Sequence, residues 1–174
     1  MKAEDVAEIM GSLETAGITV WLDGGWGVDA LLAHQTRPHG DLDLLASLDD
    51  MQRLQQALSL LGYCLIRGNA SMSFKMTDAA GREIDVHSVA FTRSGAGLFR
   101  MDNGGEWLCS AEGFDGVGQV SGSQVRCLTP EAKVQRVCRS GYELDPTHLN
   151  DIAALRERAT SRQVVYDAER AILA

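Results

Sequence analysis

The chain has 174 residues, 45% hydrophobic and 23% charged, which suits one globular domain or one domain with a helical appendage. Its 16 basic and 24 acidic residues give a formal charge of -8, opposite in sign to what a grip on a long phosphate backbone needs, so polymeric nucleic acid is not expected as a substrate. No stretch approaches the roughly 20 apolar residues of a membrane span, and residues 1–11 carry no apolar signal segment. A cytoplasmic protein with no membrane partner is therefore expected. Cys64, Cys109, Cys127 and Cys138 are scattered, with no C-x-x-C pair, and read as small buried thiols in a reducing compartment.

Val6, Ile9, Met10 and Leu13 recur at helical spacing and predict an amphipathic helix over residues 4–16, stopped near Gly17. Residues 19–23 form a short β-prone run that ends at Gly24-Gly25, with a second helix over 26–33. Residues 41–46 read as a strand. Ser47, with Asp50 three residues on, resembles a capping box for a third helix whose buried stripe is Met51, Leu54, Leu58 and Leu61. Residues 63–67, 71–77 and 82–89 read as successive strands, the last two joined by a turn at 78–81. Residues 94–123 are rich in glycine with little periodicity and predict a long functional loop region with short strands. Residues 124–128 form one more strand. Thr129-Pro130 and Asp145-Pro146 then each set a capping residue before a proline at the first helical position, the later helix carrying Leu149, Ile152 and Leu155. The expected division is a mixed α/β part over 1–128 and a helical part over 129–174.

Two segments carry the chemistry: Trp21-Leu22-Asp23-Gly24-Gly25-Trp26-Gly27-Val28-Asp29, and Arg37-Pro38-His39-Gly40-Asp41-Leu42-Asp43-Leu44. Alternate side chains of a strand share a face, so Asp41 and Asp43 point one way while Leu42 and Leu44 enter the core. Two carboxylates this close stay ionised in a partly buried site when a cation sits between them. Oxygen-only ligands favour magnesium or manganese. In Glu83-Ile84-Asp85-Val86-His87 the same alternation sends Asp85 and His87 to one side. With this strand beside the first, Asp85 completes a cluster able to hold two metals about 3.5–4 Å apart. Asp85 is also placed to take the proton of an acceptor hydroxyl. Gly24-Gly25, between strand and helix, lets backbone N–H groups approach a phosphate. Arg37 and His39 are candidates for contact with the triphosphate tail.

Other residues carry a weaker signal. His87 reads as packed or supporting rather than as a ligand, and Trp26 as either pocket border or core. Lys133, Arg136 and Tyr142 are within reach of a nucleotide by their place in the C-terminal part, although helix-surface Lys and Arg are usually only solvated. Asp23 and Asp29 read as shaping the site or capping the helix. The stretches 102–107 and 112–115 combine acids with aromatics, which suits a cationic, partly apolar sugar derivative and equally a solvated loop pinned by its apolar residues.

The segments W-L-D-G-G-W-G-V-D, R-x-H-x-D-L-D and I-D-V-H, in that order, resemble the polymerase-β-type nucleotidyltransferase superfamily. Within it they look closest to the short lincosamide nucleotidyltransferases and are similar to the related aminoglycoside nucleotidyltransferases. Ser140-Gly141-Tyr142-Glu143-Leu144, followed by His148 and Asp151, is similar to the same lincosamide group, so the resemblance covers most of the chain and thins over 94–123. Fifteen residues separate Gly25 from Asp41, a longer gap than in most of the superfamily, and Asp23 sets an acid beside the glycines where many members carry an apolar residue. The resemblance implies an α+β nucleotidyltransferase fold, a twisted mixed β-sheet flanked by helices, with the helical C-terminal part closing one side of a cleft. It implies magnesium on Asp41 and Asp43, Asp85 completing the set as general base, and a plausible homodimer. The implied reaction is in-line attack of an antibiotic hydroxyl on the α-phosphorus of ATP or another triphosphate, releasing pyrophosphate. The rivals are an aminoglycoside acceptor, a toxin-like transferase acting on tRNA or protein, and a non-catalytic nucleotide-binding module. The shortage of basic residues weighs against tRNA, and the three clustered acids weigh against a decayed site.

Overall fold

A computed structural model describes residues 1–100, 104–139 and 145–172 of the protein, with side chains described at 1–100, 104–138 and 145–159. The stretch 140–144, with Tyr142, and residues Asp102 and Asn103 lie outside the described residues.

The sheet grows outward from β1 (Val20–Leu22) and β2 (Asp41–Ser47), which pair antiparallel. Their central residues Leu22, Leu42, Leu44, Leu45 and Ala46 are fully buried. On one side of this pair, β5 (Glu83–Phe91) lies parallel to β2, followed by β4 (Ser73–Thr77) and the exposed edge strand β3 (Cys64–Gly68). On the other, β9 (Ser123–Cys127) runs parallel to β1 and carries β8 (Gly116–Val120) at its outer edge. The resulting order, β3-β4-β5-β2-β1-β9-β8, is a mixed sheet, as expected. A hairpin of β6 (Gly97–Arg100) and β7 (Glu106–Cys109) extends it from the end of β5.

Residues 94–123 thus carry the short strands expected of them, β6, β7, β8 and the first residue of β9, joined by turns and a 3₁₀ helix over Ala111–Phe114. Two of their glycines answer to packing: a Cβ at Gly116 has no room against the backbone of Leu128, and one at Gly118 none against Ala30. The sheet's neighbours press too close for a side chain, and the missing side chains hide the period of two. Phe99, Trp107 and Phe114 from this region form a second core with Leu45, Val89, Leu128 and Ala132.

Helix α1 (Ala3–Thr15) buries Val6, Ile9, Met10 and Leu13, the stripe its spacing predicts. Helix α2 (Gly24–Leu32) begins at Gly24, two residues before the expected start, and is buried from Trp26 to Leu32. Helix α3 (Met51–Leu60) buries Met51, Leu54 and Leu58, but Leu61 lies past its end and is exposed. Ser47 accepts from the amide of Asp49 in a 3₁₀ turn, and Asp50 pairs with Arg53, so no capping box forms there. Helices α4 (Pro130–Arg139) and α5 (Pro146–Ile172) follow β9. Ile152 and Leu155 are buried, whereas Leu149 faces solvent.

The four cysteines are free thiols, but only Cys109 and Cys127 are buried; Cys64 and Cys138 are exposed, contrary to the expectation for the set. Burial pushes the Cys127 thiol up to about 12, so it stays protonated and inert. Among the described residues no helix is long and apolar enough to cross a membrane.

Candidate active site

The parallel register of β2 and β5 sets Asp43 beside Asp85 and Asp41 beside Glu83. Leu42, Leu44, Ile84 and Val86 on the opposite face are fully buried, which locks the acids outward. A slip of one residue in either strand would bury the carboxylates and expose the leucines. β4 adds a residue that the sequence reading passed over. Its alternation buries Phe74 and Met76 and places Lys75 opposite Asp85. The Lys75 Nζ lies 3.6 Å from Asp41, 3.5 Å from Asp85 and 3.2 Å from Glu83.

His87, read from sequence as packed or supporting, is more than a third exposed, with Nε2 3.9 Å from both Asp43 and Asp85. Asp43, Asp85 and His87 each offer a ligand atom, all within 4.8 Å of one another. This set, rich in carboxylate oxygen with one imidazole, fits magnesium or manganese. Burial, reinforced by the charges of Asp43 and Asp85, pushes the Asp41 carboxyl above the usual carboxylate range against the pull of Lys75.

The N-terminus of α2 forms the facing wall. Gly24 adopts φ +53°, and the Asp43 carboxylate occupies the space a Cβ would need. Gly25 is covered in the same way by His39 and Arg37. The glycine pair therefore admits these three side chains to the helix end, where first-turn N–H groups have no partner within the helix and favour an anion.

Asp23 occupies the N-cap position of α2, yet its side chain does not cap the helix. It accepts hydrogen bonds from the buried Lys133 and the partly buried Arg136 of α4, more than a hundred residues away in the chain. Burial favours the neutral acid, but Arg136 and Lys133 outweigh it and hold the carboxyl far below the usual range. The Arg136 guanidinium also lies 4.7 Å over the Phe99 ring.

Asp29, buried with His39, anchors a second hydrogen-bonded chain. It accepts from the amide and hydroxyl of Thr36 at 3.0 and 2.6 Å and from His39 Nε2 at 2.5 Å. Burial works against its charge, but these hydrogen bonds prevail and its pKa is lowered. With Nε2 donating to Asp29, His39 Nδ1 is left as the acceptor for Arg37, 3.0 Å away. The His39 ring packs on Trp26 with centroids 4.7 Å apart. Arg37 also reaches Asp151 of α5 at 3.5 Å, while its Nε is buried with no hydrogen-bond partner among the described residues. Such an orphaned cationic donor beside a helix N-terminus fits a missing anionic ligand.

Between the walls runs a cleft of about 470 Å³. Asp41, Asp43, Asp85, Gly24, Gly25, Arg37 and His39 all line it, so the structure brings the sequence-derived candidates together. Lys133, Arg136, His148 and Asp151 reach it from α4 and α5. Leu48, Met72, Ala90 and Leu98 supply an apolar section. The aromatics of the 102–115 stretch do not: Trp107 and Phe114 are buried in the second core and pin that region down. Trp26 is likewise core, 2% exposed.

Residues 5–155 match the family described as aminoglycoside-2''-adenylyltransferase. The chain belongs to this adenylyltransferase family. It is 28% identical over 161 residues to a lincosamide resistance protein of Staphylococcus haemolyticus, an alignment covering 90% of this chain and 98% of that one. A 2''-aminoglycoside nucleotidyltransferase of Klebsiella pneumoniae is 30% identical over 57 residues, 33% of this chain and 32% of the relative. Among solved structures, the lincomycin-bound lincosamide antibiotic adenylyltransferase LnuA superposes with a TM-score of 0.74 at 26% identity, covering 88% of this chain and 95% of its own. ANT(2")-Ia in complex with adenylyl-2"-tobramycin gives 0.66 at 19% identity, with 99% and 98% covered, and shares the fold. As a member of the adenylyltransferase family, the chain carries its acids and glycines on a nucleotidyltransferase fold, an antibiotic-modifying relative on either side.

Proposed function

We propose that this protein transfers AMP from ATP to a hydroxyl of a lincosamide antibiotic, releasing pyrophosphate and so conferring resistance. The observation that carries the reading is the in-register pair Asp43 and Asp85, with Asp41 on the same face, opposite the cationic end of α2 across one cleft. Arg37, Lys133 and Arg136 orient the triphosphate, and the α2 N-terminus with Gly24 and Gly25 takes its oxygens. Asp41, Asp43 and Asp85 hold magnesium, with His87 at the margin. Magnesium held by these carboxylates would neutralise charge on the polyphosphate and on the departing pyrophosphate. Asp85 accepts the proton of the acceptor hydroxyl as its oxygen bonds to the α-phosphorus and the bond to the β-phosphate oxygen breaks. The chain's own contribution is positioning and charge, with no covalent intermediate on the protein. In this reading residues 1–128 form the catalytic domain and residues 129–174 a helical part that lends Lys133 and Arg136.

Support for a lincosamide acceptor comes from the full-length likeness to the staphylococcal resistance protein and from the apolar section at Leu48, Met72 and Leu98, which suits an alkyl tail. An aminoglycoside acceptor is the second reading, favoured by the description of the matching family. Pyrophosphate release from ATP and magnesium, measured with lincomycin and with a panel of aminoglycosides, separates the two. Release with lincomycin alone is the expected result. Release with aminoglycosides alone transfers the assignment to them, and silence with both removes the antibiotic acceptor.

A further inference from the structure

We propose that Lys75 is a built-in counter-cation that competes with a divalent ion for Asp41 and Asp85, so that metal loads together with the nucleotide rather than before it. The proposal rests on the reading of these carboxylates as metal ligands. Backbone register fixes the placement, because Lys75 stands opposite Asp85 while its neighbours Phe74 and Met76 are buried. Its ammonium lies 3.6 Å from Asp41 and 3.5 Å from Asp85, with only 19% of the side chain exposed. Arg67 also approaches Asp85, at 3.8 Å, but is 76% exposed and screened by solvent.

A metal ion held by the same oxygens sits close enough to this ammonium for strong like-charge repulsion in a half-buried site. Glu83 resolves the conflict. It lies 3.2 Å from Lys75 and outside the Asp43–Asp85–His87 set, so the ammonium keeps a partner when it gives up the two aspartates. A nucleotide shifts the balance further, since its polyphosphate attracts both the ion and the ammonium and turns their repulsion into a shared contact.

The test is Mn²⁺ binding to the full chain, followed by the electron paramagnetic resonance of the free ion, with and without a non-transferable ATP analogue. Lys75→Met is expected to bind Mn²⁺ alone about tenfold tighter than the natural protein. The analogue is expected to narrow that gap. Glu83→Gln is expected to move the other way, since an ammonium without its second partner leans harder on Asp41 and Asp85. It also keeps Lys75 in place, so the test survives if the methionine variant does not fold. A Lys75 that serves only to brace the strand gives the reverse sign, weaker Mn²⁺ binding in Lys75→Met, and that result, or no change in either variant, overturns the proposal. No Mn²⁺ bound by any of the three proteins, even with the analogue, sinks the metal reading itself and this proposal with it.

Discussion

The two walls of the cleft treat charge in opposite ways. On the strand wall Asp41, Asp43, Glu83 and Asp85 face one half-buried ammonium, that of Lys75, and the exposed Arg67. On the helix wall three cations lean on buried acids: Lys133 and Arg136 on Asp23, and Arg37, which also pairs with Asp151, through His39 on Asp29. Asp23 and Asp29 are held ionised, below the usual carboxylate range, while Asp41 is pushed above it. The helix wall is therefore organised by folding itself. The strand wall is left short of positive charge, as suits a site completed from outside.

Substitutions on the two walls should accordingly fail in different ways. The largest effect falls on the strand wall in activity: Asp43→Asn is expected to slow transfer by about a thousandfold, the several kcal/mol that metal-assisted charge stabilisation supplies. Its metal-free melting temperature should hold or rise, because one of several like charges is gone, and its stabilisation by magnesium should vanish. A cooperative melt that drops sharply would show that Asp43 supports the fold instead.

The next effect falls on the helix wall in stability. Asp23→Asn strips the buried Lys133 and the partly buried Arg136 of their counter-charge and should cost about 3 kcal/mol in urea denaturation, with or without chelator. A loss within the scatter of ordinary surface substitutions would mean the cluster is open to water.

Asp29→Asn is subtler, because it acts through His39 on Arg37. The KM for ATP should rise about tenfold, equivalent to one hydrogen bond to a charged group, while the KM for the antibiotic stays put. Combined with Arg37→Ala, it should add nothing further to the single Arg37 change, and full additivity would break the proposed chain.

The smallest effect is one of pH on the chelated protein. Asp41, with its raised pKa, binds its proton more readily folded than unfolded, so its ionisation costs stability above the folded value, and that cost is relieved as pH falls toward the ordinary value of about 3.9. Asp23 has the opposite sign: its contribution is complete above that value and is lost only as pH falls well below it. Melting temperatures of natural protein and Asp41→Asn between neutral pH and about 4 should therefore converge on acidification. Parallel curves would mean that folding does not raise the Asp41 pKa.

Much of the strand wall was legible because a period of two leaves a direct trace: Asp41 and Asp43 alternate with leucines, Asp85 and His87 with Ile84 and Val86. The same trace existed at Lys75, between Phe74 and Met76, but its meaning depends on β4 lying beside β5, which local pattern does not encode. The helix wall was harder to read. Asp23 and Lys133 are separated by 110 residues, and nothing in either neighbourhood announces the other. The glycines at 116 and 118 misdirected the reading toward a loop, since a residue without a side chain looks the same in a tight sheet contact as in a turn. Leu149 followed the helical stripe in sequence yet faces solvent, because periodicity reports a face and not the extent of its cover.

Transfer by the strand wall onto a lincosamide leaves its mark on the drug, and mass spectrometry of the drug reads it most directly. Lincomycin is incubated with ATP, magnesium and either the natural protein or Asp85→Asn. Lincomycin carrying one adenylyl group is expected with the natural protein, and unmodified drug with the variant. Equal modification by both, or none by the natural protein, would contradict it.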